Sequence, residues 1–134
     1  MTIKEIRREC SNIAMEIART YIDVCFERTS YEEAYTKLIE IPNKLKKLRD
    51  DIFNYNRQHN LYALVSAEHN IIDSMLYRIQ DKEFEGSRFS NELKYKWVVW
   101  AISDTYNDLV RLSTDLELGL EVYDEALFDL YNRR

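Results

Sequence analysis

Apolar residues recur along this chain at alternating spacings of three and four, the pattern of a helix that buries one side. The first helix is predicted over about residues 3–28. Its apolar seam consists of Ile3, Ile6, Cys10, Ile13, Ile17, Thr20 and Val24. A second helix opens after Ser30 and keeps the alternation as far as Tyr55, straight through Pro42. Because proline removes a helical hydrogen bond and clashes with the preceding turn, we expect a kink or short break there, with both halves on one core.

Two more helices follow in the same pattern. The third is predicted from the turn at 58–60 to about Glu83, with Gly86 as its C-cap. The fourth begins near Ser90, and its seam consists of Val98, Ile102, Thr105, Leu109, Leu112 and Leu116. Gly119 falls on this seam, so the last helix is either long or broken there.

Short connections between long helices make sequential neighbours antiparallel. We therefore predict a single domain over residues 1–134, an all-α, antiparallel up-down-up-down four-helix bundle with a long or broken C-terminal helix. We expect the other three helices to pack around the fourth. Its last turns would either fold back as a fifth helix or project toward a second copy.

Composition agrees with this fold and indicates the cellular compartment. The chain of 134 residues has only two glycines and one proline, too few for a sheet with tight turns. No apolar run approaches the roughly 20 residues of a membrane span, and the charged N-terminus is unlike a secretory signal. Cys10 and Cys25 lie 15 residues apart on one predicted helix, too far for a disulfide. We expect both thiols to be buried and free, and the protein to be cytoplasmic and without contact with a membrane.

Glu68 interrupts the apolar seam of the third helix, where an unpaired carboxylate is costly. Counting outward from the predicted turns places it level with Thr105 and Tyr106 of the fourth helix, Cys10 of the first, and Arg49 or Ile52 of the second. The polar residues at this level are Glu68, Thr105, Tyr106 and Arg49. We expect these four residues to form a buried polar layer that fixes the register of the helices. A ligand or catalytic pocket around Glu68 is the alternative.

The sequence offers no metal or cofactor site. A di-iron bundle needs inward acids on all four helices and two Glu-x-x-His pairs, which this chain lacks. His69 and Asp73 stand four apart, and a solvated pair is the expectation for them. There is no phosphate-binding glycine loop, zinc spacing or Cys–His nucleophile pattern. We therefore predict a protein that is not an enzyme; a catalytic role for Glu68, or for Glu121 with Asp124, stays as a third hypothesis.

Both tryptophans of the chain fall on the side of the fourth helix opposite its seam. At about 100° per residue, this outer face consists of Trp97, Trp100, Asp104, Asp108 and Arg111. Tryptophan and arginine with charged neighbours are typical of the residues that dominate protein interfaces. A bundle that wraps the fourth helix on two sides and buries both indoles is the alternative.

The predicted function is a non-enzymatic protein–protein interaction module that binds through this outer face. An adaptor, an inhibitor or a complex subunit fits, including one encoded by a phage or mobile element. The partner would be another protein or a second copy in a homodimer. The alternative is a nucleic-acid-binding subunit using Lys44–Arg49 and Arg88–Lys96, although the net charge of −5 is that of an acidic protein.

Overall fold

Five α-helices make up the described part of the chain. The computed structural model describes residues 2–59 and 62–132, with side chains described for 2–59 and 68–116. The helices are α1 (Ile3–Cys25), α2 (Tyr31–Leu38), α3 (Ile41–Gln58), α4 (Tyr62–Ser87) and α5 (Asn91–Asn132). The prediction of an all-α helical bundle is confirmed. Among the described residues, no helix combines the length and the apolar character needed to cross a bilayer.

The helix α5 makes the most extensive contacts in the described bundle. It packs against α1, α2 and α4, whereas α3 packs against α1 and α4. The helices α3 and α5 therefore lie diagonally across the bundle. Ion pairs join neighbouring helices so that residues further along one helix pair with residues nearer the start of the other. The pairs are Lys44–Glu16 and Lys47–Glu9 between α3 and α1, and Arg78–Asp108 and Lys94–Glu83 between α4 and α5.

The predicted seams form the core. Every seam residue of α5 from Val98 to Leu116 is buried, and so is the seam of α1 from Ile6 to Val24. Ile72, Met75 and Ile79 supply the contribution of α4. Burying a side chain of this size stabilises the fold by roughly 1.5–3 kcal/mol before the entropy of ordering is counted. These seams therefore hold the helices together.

The break predicted near Pro42 is present, and it lies just before the proline. The chain turns at Ile39 and Glu40, and Pro42 sits in the first turn of α3, where its missing N–H leaves no hydrogen bond unmade. Leu38 and Ile41 on either side of the turn are both fully buried. Both halves of the predicted second helix therefore contribute to one core, as the unbroken phase of the pattern predicted.

Serine caps two of the helices at their predicted starts. The Ser30 hydroxyl accepts the backbone N–H of Glu33 at 3.2 Å, and the Ser90 hydroxyl accepts that of Leu93 at 3.3 Å. Glu33 does not complete the reciprocal capping box through its side chain. Its carboxylate instead accepts the hydroxyl of Thr29 at 2.8 Å. Both caps are local, since each satisfies a backbone donor three residues away.

The last helix is long and unbroken. α5 continues through Gly119 and contains 42 residues, compared with 23 in α1 and 26 in α4. At about 1.5 Å per residue it is roughly 63 Å long, compared with roughly 35 and 39 Å for the other two. Of the two predicted outcomes, the long helix is the one formed, and the chain does not fold back at Gly119 into a fifth helix.

The prediction for the two cysteines is half right. The Cys10 thiol is fully buried, and this burial raises its pKa to about 12. Cys25 is exposed, which corrects the expectation that both thiols are buried. It follows Val24, the last seam residue of α1, by one position and so points about 100° away from the core. Both thiols are free.

Gly86 serves a different purpose from the predicted C-cap. Its backbone has no positive φ, and α4 runs on to Ser87. A Cβ atom added at Gly86 would overlap the Cα atom of Lys94 and lie 2.7 Å from its Cβ atom. Glycine therefore allows the end of α4 to lie directly against the first turn of α5.

We expect Gly86→Ala to lower the free energy of unfolding by about 1–3 kcal/mol, because the new methyl group pushes two backbones apart. Urea unfolding followed by circular dichroism measures this. Gln80→Ala, at an exposed position of the same helix, is the control and should stay within about 0.5 kcal/mol of wild type. Equal stabilities of the two variants would contradict the close approach.

Candidate interaction site

A shallow cavity lies between α4 and α5 and contains both tryptophans of the chain. Its volume is about 290 Å³. We call it the α4–α5 groove. It is lined by Arg78, Asp81 and Lys82 of α4 and by Trp97, Trp100, Ala101 and Asp104 of α5. The outer-face residues at positions 97, 100 and 104 are thus brought together, in a site that a second helix completes.

The spacing of these residues along each helix explains why they meet. Trp97 and Trp100 flank the buried pair Val98 and Val99, so the core fixes the rotation of α5 and leaves both indoles at the edge of its seam. Arg78 and Lys82 flank Ile79 of the α4 core in the same way. Two flanks of adjacent seams therefore form the two walls of the groove.

The two indoles are held by neighbours that do not themselves line the groove. The Trp100 ring, 41% exposed, donates its Nε1–H to the Tyr31 hydroxyl at 3.2 Å and has the Lys96 ammonium 4.8 Å from its centroid. Trp97 is half-buried and packs edge-to-face with Phe89, with the two ring centroids 5.7 Å apart. Such fixed aromatic surfaces lose little conformational entropy when they are covered.

The charges of the groove are unevenly paired. Arg78 forms an ion pair with Asp108, and Lys82 forms one with Glu85 at 3.0 Å. Asp81 and Asp104 have no ion-pair partner among the described side chains. The acids that neutralise the two basic residues lie outside the lining, whereas the two carboxylates of the lining stay open to solvent.

The remaining predicted contact residues lie beside the groove. Asp108 is half-buried and occupied by Arg78, so it supports the wall without lining the cavity. Arg111 is exposed and lies outside the lining. The sequence interpretation missed Arg78, Asp81 and Lys82. Their spacing of three and four beside the seam of α4 was visible, but nothing in it indicated which flank would face the tryptophans.

The predicted buried polar layer does not form. Glu68 is buried at 3% exposure, and its Oε2 atom has no hydrogen-bond partner among the described residues. Buried Thr105 donates its hydroxyl to the carbonyl of Ile102 in its own helix at 2.6 Å. Tyr106 is 39% exposed, and the half-buried Arg49 pairs with Asp73 instead, with its Nη1 atom 2.6 Å from Asp73 Oδ1.

The position of Glu68 along the bundle axis explains why the predicted polar layer does not form. Asp115 is the acid of α5 that acts on Glu68, and it lies ten residues beyond Thr105. Ten residues are about 15 Å of helix, so the two predicted partners stand at different levels. Burial is the main cause that raises the pKa of Glu68, from an ordinary 4.5 to about 7, and the charge of Asp115 raises it further.

His69 and Asp73 form the expected pair, and it is part of a larger cluster. The His69 Nδ1 atom lies 2.9 Å from one carboxylate oxygen of Asp73, while Arg49 occupies the other. An arginine so close disfavours a metal cation at that carboxylate. Across the described residues, no three His, Cys, Asp or Glu side chains are grouped so that they could hold a metal ion.

The two basic stretches lie on different sides of the bundle. Lys44–Arg49 belongs to α3 and Lys94 and Lys96 to α5, and these helices are diagonal. Acidic partners neutralise most of these cations, in the pairs Lys44–Glu16, Lys47–Glu9, Arg49–Asp73 and Lys94–Glu83. The basic residues therefore do not form one continuous positive surface.

The raised pKa of Glu68 predicts a pH-dependent stability. A carboxyl group with a higher pKa in the folded state holds its proton more tightly there, so its stabilising effect is full below about pH 4.5 and is lost as the pH rises through about 7. Glu68→Gln cannot ionise and should be more stable than wild type at pH 8 by about 2–3 kcal/mol. The difference should shrink toward pH 4.5.

Urea unfolding of both proteins between pH 4.5 and pH 8 measures this difference. Glu27→Gln, the same substitution at an exposed position, is the control and should not differ from wild type across the range. A Glu68→Gln variant less stable than wild type at pH 8 would mean that Glu68 is ionised and well paired.

The partial exposure of Trp100 predicts that it contributes less to stability than a core residue. We expect Trp100→Ala to lower the free energy of unfolding by about 1–2 kcal/mol, through the lost hydrogen bond to Tyr31 and the lost packing of the covered part of the indole. Ile102→Ala, two positions away in the fully buried seam, should cost about 2–5 kcal/mol. Urea unfolding compares the two variants, and equal losses would place Trp100 in the core.

Comparison with known proteins identified no relative of the chain. Searches against protein-family models, curated proteins and solved structures found no match to the chain. The chemistry of the α4–α5 groove is therefore the basis for a functional proposal.

Proposed function

We propose that this protein is a non-enzymatic interaction module that binds another protein through the α4–α5 groove. One observation carries the proposal: both tryptophans of the chain line one partly exposed cavity, rimmed by charged side chains. The site combines Trp97, Trp100 and Asp104 of the predicted outer face with the adjoining flank of α4, and Asp108 and Arg111 lie beside it.

The composition of the groove supports binding to a protein. Tryptophan and arginine are enriched among the residues that contribute most to protein interfaces, and those residues are surrounded by contacts that exclude water. Trp97 and Trp100 offer a large apolar surface, while Arg78, Asp81 and Asp104 offer a polar rim. A groove of this kind accepts one or a few side chains of a partner.

The role we assign is that of an adaptor, an inhibitor or a complex subunit acting in the cytoplasm. Two free cysteines, one of them exposed, are in keeping with a reducing compartment. A second copy of the chain is the alternative partner for the same groove. For the nucleic-acid alternative, the ion pairs of Lys44, Lys47 and Lys94 count against a strong electrostatic contribution to binding.

The test is a comparison of complexes formed by matched variants. Tagged wild type, Trp100→Ala and Phe53→Ala are each used to isolate partners from the source cells. Phe53 is an equally exposed aromatic residue on α3, away from the groove, and serves as the control. We expect a protein partner that wild type and Phe53→Ala retain and Trp100→Ala loses. Titration calorimetry with the purified partner should show at least a tenfold weaker Kd for Trp100→Ala.

Two results would contradict the proposal. One is a partner that all three variants retain equally, which would place the contact elsewhere. The other is bound nucleic acid that is released as the salt concentration rises, which would favour the alternative. Light scattering of the wild type at several concentrations shows whether the partner is a second copy.

A further inference from the structure

We infer that the α4–α5 groove accepts an arginine side chain of the partner protein. The inference rests on the proposed function and specifies the chemistry that the groove recognises. It comes from the unequal pairing of the four charged residues in the lining and from the position of the two indoles among them.

The balance of charge favours a cation. The lining holds two basic and two acidic side chains and is formally neutral. The acids that neutralise the two bases stand outside the cavity: Asp108 pairs with Arg78, and Glu85 with Lys82. Asp81 and Asp104 are exposed and have no ion-pair partner among the described residues. The unsatisfied charge in the groove is therefore negative.

The indoles add a second attraction for the same kind of group. A cation within about 6 Å of an indole centroid is attracted to the face of the ring. The chain itself uses both indoles in this way: Lys96 lies 4.8 Å from the Trp100 centroid, and Lys82 lies 6.0 Å from the Trp97 centroid. The Lys82 ammonium stands at the limit of that distance and pairs with Glu85 at 3.0 Å, so it engages the Trp97 ring only weakly.

Arginine fits this combination better than lysine. Its planar guanidinium stacks on an aromatic ring while its edge donates hydrogen bonds, and it has five donors in a fixed geometry. One guanidinium can therefore lie against an indole and reach a carboxylate at the same time. A lysine ammonium has three donors and no plane to stack. An anionic group would meet Asp81 and Asp104, while the two bases of the lining already pair with Asp108 and Glu85.

The experiment uses the two tryptophans as reporters. Because both line the groove and the chain has no others, the two indole N–H signals in a ¹⁵N spectrum and the intrinsic tryptophan fluorescence report on this site alone. The probes are four capped pentapeptides, Gly-Ser-X-Ser-Gly, with X arginine, citrulline, lysine or glutamate. Citrulline keeps the shape of arginine and has no charge. We expect the arginine peptide to shift both signals at millimolar concentration and the citrulline and glutamate peptides to leave them unchanged.

Variants of the lining residues test whether the groove prefers a positively or a negatively charged group. Asp81→Asn and Asp104→Asn should each weaken binding of the arginine peptide by roughly two- to fivefold, as expected for an exposed ion pair. Lys82→Gln should strengthen it by a similar factor, because it removes the competing cation and releases Glu85. Asp50→Asn makes the same change of charge on α3, outside the groove, and should leave binding unaltered.

Several results would overturn the inference. A response to the glutamate peptide that Lys82→Gln weakens would mean that the groove binds anions. An equal response to arginine and citrulline would mean that charge does not matter, and tighter binding of lysine would exclude the preference for arginine. No response to any peptide would exclude a cation site.

The failure of this inference can be told apart from the failure of the proposed function. A complex that Trp100→Ala abolishes but that Asp81→Asn and Asp104→Asn leave intact would keep the interface and reject the arginine. A partner that is retained regardless of Trp100 would reject the interface, whatever the peptides show.

Discussion

The structure depends on the burial of one apolar seam of α5 against α1, α2 and α4. No other helix contacts three neighbours so extensively, and every seam residue from Val98 to Leu116 is buried. Apolar burial is the main favourable contribution to folding, and it has no direction of its own. The helix gives this burial a direction. Once the seam faces inward, the angles at which the remaining residues of α5 project around the helix axis are fixed as well. The position of both tryptophans follows from that constraint.

The inner and outer sides of α5 therefore serve different purposes while sharing one rigid backbone. The seam supplies stability, and its flank supplies one wall of the α4–α5 groove. Because Trp97 and Trp100 flank buried valines, the groove is placed by the core and does not depend on a loop. Sites on such rigid elements are positioned more precisely than sites on loops. Binding at the groove and stability of the fold should consequently be separable by substitution.

Ion pairs join several of the helices, and the acidic side chains that remain without a partner are informative. Several cations meet an acid of a neighbouring helix, in pairs such as Lys44–Glu16 and Arg78–Asp108. Exposed pairs of this kind contribute little stability, roughly 0–1 kcal/mol each, but they decide which charges remain available. The unpaired carboxylates of Asp81 and Asp104 are available to a partner. Buried Glu68 is the opposite case, since its charge is a cost to the fold and no described side chain offsets it.

The sequence by itself determined what depends on residues close together along the chain. The alternation of three and four gave the helices and the seam positions that are buried. The ring of Pro42 required the break between α2 and α3, and Ser30 and Ser90 marked two helix starts, because capping acts over three residues. The tryptophans could be placed off the seam for the same reason. Periodicity fixes the angle of a side chain around its own helix.

Only the tertiary structure decided which helix faces which flank, and at what height. Those two quantities set the partners of Glu68, the exposure of Tyr106 and the meeting of Trp97 with Arg78, Asp81 and Lys82. Counting from predicted turns put Glu68 level with Thr105, whereas it lies near Asp115. Such offsets arise from the way side chains of two helices interdigitate along their whole length. No local pattern in one helix contains that information, because it is a property of the pair.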